Sequence, residues 1–283
     1  MTAAQVKRQP LTNEDFQAIS RIDADVALTA LFAVVAPPFG VERARMRPPA
    51  SVPSKEHEPP APAAAVLARV VTALGVKRPP VYVDRDLAAP CTMAMRARDG
   101  VLTPVLTLGR PAVDKAVDEA ELAFHVARAL ADLRNERIAR LLVPRAGELA
   151  QIIELAQATP SDASSHANRW LATSLHPVEL AQAQAIGARL KERSVHPMTA
   201  ALGWLAATDR AADRIAFAVV GDLALCARIL EKEPIASGTD VNRTLELAWS
   251  SITEEMLQVR GRIEGWLAPA AEPRRKTTTF GAV

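Results

Sequence analysis

A mostly helical α+β fold is the architecture this chain of 283 residues predicts. Three observations carry the expectation. A short block between Val81 and Leu108 is rich in β-branched residues and broken by turn signals. Nearly everything after Val117 repeats apolar residues at three- and four-residue steps. One further helical stretch and a proline-rich segment precede both.

Taken in order, Thr12 to Ala36 reads as one helix. Phe16, Ile19, Ile22, Val26 and Leu28 recur at mostly helical steps, and Asn13 is placed to cap the start. Pro37 and Pro38 are expected to end it, since neither ring nitrogen can donate to a helix. Residues 37–62 hold eight prolines among scattered charges, which predicts an extended linker or arm. A helix over Ala63–Leu74 follows, then strands at Val81–Val83, Met93–Ala97 and Leu102–Leu108. Asp99-Gly100 is a turn signal that joins the last two as a hairpin.

Helices are expected over 118–142, 145–158, 163–174, 177–193, 197–220, 221–231 and 240–267. His176-Pro177 and His196-Pro197 read as helix starts, because proline at the first helical position has no N–H to leave unpaired. The expected organisation is an N-terminal helix (1–36), a proline-rich arm (37–62), a main domain (63–268) and a frayed basic tail (269–283).

Composition narrows the function classes. With 34 Lys and Arg against 32 Asp and Glu, the chain lacks the basic excess of a nucleic-acid binder. Aromatics are only 4% of residues, which disfavours base-stacking surfaces. Cys91 and Cys226 cannot form a disulfide framework or a four-thiolate zinc site. No apolar leader opens the chain, and the run Val26–Pro38 falls short of the roughly 20 residues of a membrane span. The expectation is a cytoplasmic protein without a membrane span.

The informative stretch is Glu121-Leu122-Ala123-Phe124-His125-Val126-Ala127-Arg128-Ala129-Leu130-Ala131-Asp132-Leu133-Arg134-Asn135. Leu122, Val126, Leu130 and Leu133 form an apolar stripe, so it is a core-facing helix that follows a strand pair. Here the chain resembles the zinc peptidases related to the CaaX prenyl protease and the membrane heat-shock protease. Their active-site helix reads Glu-Leu-x-x-Val-Leu-Ala-His-Glu-Leu-Gly-His-Ile-x-Asn, and Glu121-Leu122, Ala127, Leu130 and Leu133-Arg134-Asn135 match it. The segments Pro80–Val83 and Thr103–Gly109 look like the two strands before it. Asp209-Arg210-Ala211-Ala212-Asp213 resembles the family's Glu-x-x-Ala-Asp motif, which carries the third metal ligand. The resemblance covers residues 63–267 and implies a zincin-like domain.

The departures decide what activity the resemblance implies. Zinc peptidase chemistry needs two imidazoles at i and i+4, each about 2 Å from the ion, and a glutamate base beside the first. Arg128, Ala129 and Asp132 stand at those positions, and Asp209 replaces the third-ligand glutamate. Arginine cannot shed its proton to become a ligand, and alanine accepts none. The resemblance therefore implies a pseudo-peptidase with no catalytic residues, no metal and no cofactor. An Arg128 guanidinium held between Asp132 and Asp209 is the expected substitute for the ion.

Other candidates are weaker. His125 has Ala129 four residues on, so it reads as a core-edge histidine. His166, His176 and His196 show no metal-ligand spacing. The glycines are scattered singly, no serine sits in a nucleophile elbow, and Trp170, Trp204, Trp249 and Trp266 read as core. The expected function is protein binding or scaffolding within a larger assembly, through the N-terminal helix, the arm or the old substrate groove. The alternative is an active metal-dependent peptidase with a rearranged site built from Asp132, Asp209 and a histidine.

Overall fold

Alternation in the 81–109 block produces three strands, β1 (Val81–Asp84), β2 (Cys91–Arg98) and β3 (Val101–Gly109), in the order β1-β3-β2. The structure is a computed structural model that describes residues 10–20, 25–46, 58–98, 101–158, 173–233 and 242–263. β2 and β3 are antiparallel with Arg98 opposite Val101, as a hairpin requires, while β1 runs parallel to β3 with Val81 opposite Leu106. Pro104 sits in the central strand without breaking the ladder. Leu106 N–H donates to the Pro80 carbonyl on the β1 side (3.0 Å), so Pro104, two residues earlier, turns its ring nitrogen beyond the end of β1.

Of the described residues 69% are helical, and with this small mixed sheet they form a mostly helical α+β fold. The helices are α1 (Asn13–Ser20), α2 (Val26–Met46), α3 (Ala61–Leu74), α4 (Arg110–Val113), α5 (Glu119–Ala131), α6 (Ile138–Leu142), α7 (Ala146–Gln157), α8 (Pro177–Glu192), α9 (Pro197–Val220), α10 (Leu223–Lys232), α11 (Arg243–Ser251) and α12 (Glu254–Ile263). Pro177 and Pro197 do open helices, with His176 and His196 at their caps. The arm's residues 47–57, most of the expected helix at 163–174 and the tail at 269–283 lie outside the described residues.

Four helix boundaries differ from expectation, some through local caps and some through distant partners. The single helix over 12–36 is two helices. Thr12, not Asn13, caps the first: its hydroxyl accepts from Asp15 N–H (3.2 Å) while its own N–H donates to the Asp15 carboxylate (2.8 Å). Pro37 and Pro38 do not end the second, which runs on to Met46. Its distal turn is pinned by Arg43, which pairs with Glu148 (2.9 Å) and donates to the Leu142 carbonyl (3.0 Å). At 21 residues α2 is long and apolar enough to cross a membrane by length and composition, correcting the shorter run expected. Its Leu31, Phe32, Val35 and Ala36 are buried against other helices.

The expected helix at 118–142 breaks at Asp132, and that at 240–267 breaks at Ile252–Thr253. In the second case the Thr253 hydroxyl accepts from Met256 N–H (3.3 Å) and starts a new helix.

Two apolar cores result. One joins β1 and β3 to α1, α3, α5, the second half of α9, α10, α11 and α12. The other joins α2, α6, α7, α8 and the first half of α9 around Trp204 and Phe32, whose rings meet edge to face at 4.8 Å. Helix α9 belongs to both. Its Trp204 and Leu205 lie in the second core and its Ala212, Ile215 and Ala216 in the first, and between them Thr208, Asp209 and Asp213 are buried. A polar seam thus separates two apolar masses.

Candidate functional site

Asp209 and Asp213 are one helical turn apart on α9, so both carboxylates face α5, the helix with which α9 shares its largest helix–helix contact. Burying two carboxylates demands cations, and Arg128, Arg140 and Arg243 supply them. Arg128 of α5 reaches Asp213 (Nε to Oδ1, 3.0 Å), approaches Asp209 (4.0 Å) and bonds to Glu233, which ends α10. Arg243, the first residue of α11, grips Asp213 with two parallel hydrogen bonds of 2.7 and 2.8 Å. Arg140 of α6 bridges Asp132 (3.3 Å) and Asp209. Arg137 donates to Asp132 (2.9 Å) and to the Thr208 carbonyl (2.6 Å).

Arg128, Arg137, Arg140 and Arg243 stand against Asp132, Asp209, Asp213 and Glu233, so the formal charges cancel. The electrostatics follow the geometry. Burial opposes the charge of Arg128, but Asp213, Glu233 and Asp209 outweigh it and hold the guanidinium above its ordinary range. Burial pushes the Asp213 carboxyl up from the usual carboxylate range against the pull of Arg128 and Arg243. His125, whose Nδ1 lies 3.5 Å from Glu233 Oε1, is pushed down by burial, with Glu233 opposing and Arg128 assisting. Burial raises the Cys91 thiol to about 12, far from the range of a nucleophilic thiolate.

The cluster unites Arg128, Asp132 and Asp209, but not in the arrangement expected. Arg128 is not clasped between Asp132 and Asp209. Its close partners are Asp213 and Glu233, and Arg140 links the other two. The physical reason is the chain break at Asp132: once the helix stops there, Arg137 and Arg140 turn back onto the Asp132 carboxylate. Ala129 packs against the first core.

Residues 137, 140, 233 and 243 carried no signal by spacing. Asp213 did, as the second acid of the Asp209–Asp213 pair.

The seam is closed. The gap beside Asp213, between Arg210, Arg243 and Leu247, is too narrow to admit a water molecule. An open groove of about 1150 Å³ lies past the end of α5 along Lys77, Arg78, Pro104, Arg134 and Asn135, and none of the cluster's charged residues lines it. Among the described residues no group of three His, Cys, Asp or Glu side chains is arranged to hold a metal ion.

No protein-family model matches this chain, and no curated protein and no solved structure is significantly similar to it. The cluster is therefore interpreted from its own chemistry.

Trp249, expected in the core, is instead 65% exposed. Leu245, Trp249 and Ile252 lie at i, i+4 and i+7 along α11 and just past its end, and all three face outward, while Leu247 faces the core. Trp204 is buried as expected, and Trp170 and Trp266 lie outside the described residues.

Proposed function

We propose that this protein is a non-catalytic, metal-independent binding domain of peptidase-like ancestry, in which a charge cluster fastens together the helices that a metal ion would otherwise join. The observation that carries the reading is Arg128. Its guanidinium sits among Asp209, Asp213 and Glu233, where a permanent cation repels a divalent metal and takes up the carboxylates that would bind one. A hydrolytic site also needs a base free to take a proton and room for water, and the paired carboxylates beside a dry gap supply neither. Cytoplasmic residence remains part of this reading.

The binding surface this reading favours is the outward face of α11. Solitary exposed apolar residues are ordinary, but a tryptophan flanked by Leu245 and Ile252 on one helical face has the composition of an interface anchor. The N-terminal helices are less suited than the sequence suggests, because Phe16, Ile19, Leu31, Phe32 and Val35 are already buried in the two cores.

Incubating the purified chain with a degenerate peptide library, with and without added zinc, tests the proposal. Peptide composition is expected to stay unchanged in both. Zinc-dependent cleavage that follows the protein through purification overturns the reading in favour of a rearranged active site.

A further inference from the structure

The pleat of the sheet sends Val81, Leu106 and Leu108 into the first core. It sends Tyr82, Val105 and Thr107 to the opposite face, where the register aligns Tyr82 with Thr107 and Thr107 with Thr92. That face is not flat surface. Tyr82, Val105 and Thr107 are only 2%, 1% and 6% exposed, and they line a cavity of about 590 Å³ together with Arg96, Val83 and Val113. The volume falls within the ~300–1,000 Å³ of small-molecule sites.

Among the described residues, the Tyr82 hydroxyl, the Thr107 hydroxyl and the Arg96 guanidinium make no hydrogen bond or ion pair. Neither hydroxyl is among the fully buried polar atoms without a partner, so both meet open space at the cavity, where the polar end of an occupant can replace water. Arg85 at the rim differs, being already paired with Asp114 (3.3 Å). A half-buried guanidinium, two hydroxyl donors and valine walls form a donor set for an oxyanion attached to an apolar body.

We infer that the outer face of this sheet is a binding site for a small oxyanion-headed molecule, with Arg96, Tyr82 and Thr107 holding the anion and Val83, Val105 and Val113 its apolar part. The site is separate from the Arg128 cluster, none of whose residues lines the cavity. Glu58 and Asp84 at the rim set a negative edge that favours a singly charged head over a doubly charged one.

Calorimetric titration of the full chain with benzoate, phenyl phosphate and neutral benzamide tests the inference. At least one of the two anions is expected to bind saturably at one site per chain. Benzoate, singly charged, is expected to bind more tightly than the largely doubly charged phenyl phosphate, and benzamide at least tenfold more weakly than benzoate. Arg96→Gln is expected to weaken the anion tenfold or more, and the near-isosteric Tyr82→Phe and Thr107→Val several-fold each, with unchanged unfolding temperatures. Absence of saturable binding by either anion, equal binding of benzamide, or affinities indifferent to all three site substitutions overturns the inference.

Discussion

Arg128 on α5 and Asp213 on α9 are joined at 3.0 Å in the seam between two apolar cores, and Arg243 closes on the same carboxylate from α11. One carboxylate thus ties together three helices that are far apart in sequence. Such a contact is costly to break from one side, because the partner charge stays buried without compensation.

Removal of the Arg128 charge is expected to destabilise strongly. Arg128→Met retains the side chain's bulk but leaves Asp213, Asp209 and Glu233 short of a cation. Breaking a buried pair costs about 3–5 kcal/mol, and the 19% exposure of the Arg128 side chain lowers the expectation to roughly 2–4 kcal/mol. Chemical denaturation of the two proteins measures the difference. The double variant Arg128→Met with Asp213→Asn is expected to recover part of the loss, since it removes both members of the pair.

His125 predicts a pH dependence with a definite sign. Burial holds its imidazole below the ordinary range, so the folded protein keeps it neutral where the unfolded chain takes up a proton. Stability from this group is complete above the unfolded pKa of about 6.5 and falls as the pH drops through it. The slope contributed is at most about 1.4 kcal/mol per pH unit. Unfolding free energies at pH 7.5, 6.5 and 5.5 are expected to decline for the native chain, and His125→Gln is expected to flatten that decline.

Gly187 offers a test in which local propensity and packing disagree. Alanine normally stabilises a helix interior relative to glycine by about 1 kcal/mol. On α8, however, a Cβ at position 187 would fall 1.8 Å from the Ala156 carbonyl oxygen at the end of α7. Gly187→Ala is therefore expected to destabilise by about 1–3 kcal/mol through forced separation of the two helices. A thermal melt that rises instead would contradict this helix contact.

Trp249 separates a binding role from a folding role. Because its side chain is largely exposed, Trp249→Ser is expected to change stability by no more than about 0.5 kcal/mol. Its indole fluorescence is expected to be the most accessible to acrylamide among the tryptophans of the described residues. A loss of stability above 2 kcal/mol would make it a structural residue and remove α11 as a candidate binding face.

Local signals made much of this architecture legible. The three strands follow from β-branched runs between turn signals, and the starts of α8 and α9 follow from the His-Pro steps. Much of what failed depended on side-chain partners that spacing does not reveal. A proline pair reads as a helix stop, yet Arg43 with Glu148, more than a hundred residues away, holds the turn beyond it. An unbroken helical pattern at 118–142 conceals the break at Asp132, because that break is stabilised by Arg137 and Arg140 folding back. Arg128, Asp132 and Asp209 could be picked out by position, but their pairing could not. Glu233 and Arg243 enter the cluster from the two ends of the 234–242 connection, and nothing in their spacing marks them as neighbours of Asp213. Thr253 was legible in principle: a threonine directly before Glu254-Glu255 is a helix-start signature inside an otherwise continuous pattern.

Thermal unfolding of the 283-residue chain in excess zinc and in excess chelator tests most directly whether charge, rather than metal, closes this seam. Ligand present at a thousandfold its dissociation constant stabilises a native state by about 4 kcal/mol, a shift easily seen in a melt. The account predicts coincident curves under both conditions. An unfolding temperature raised by zinc and lowered by chelator, and abolished as a response by Asp209→Asn, would contradict it.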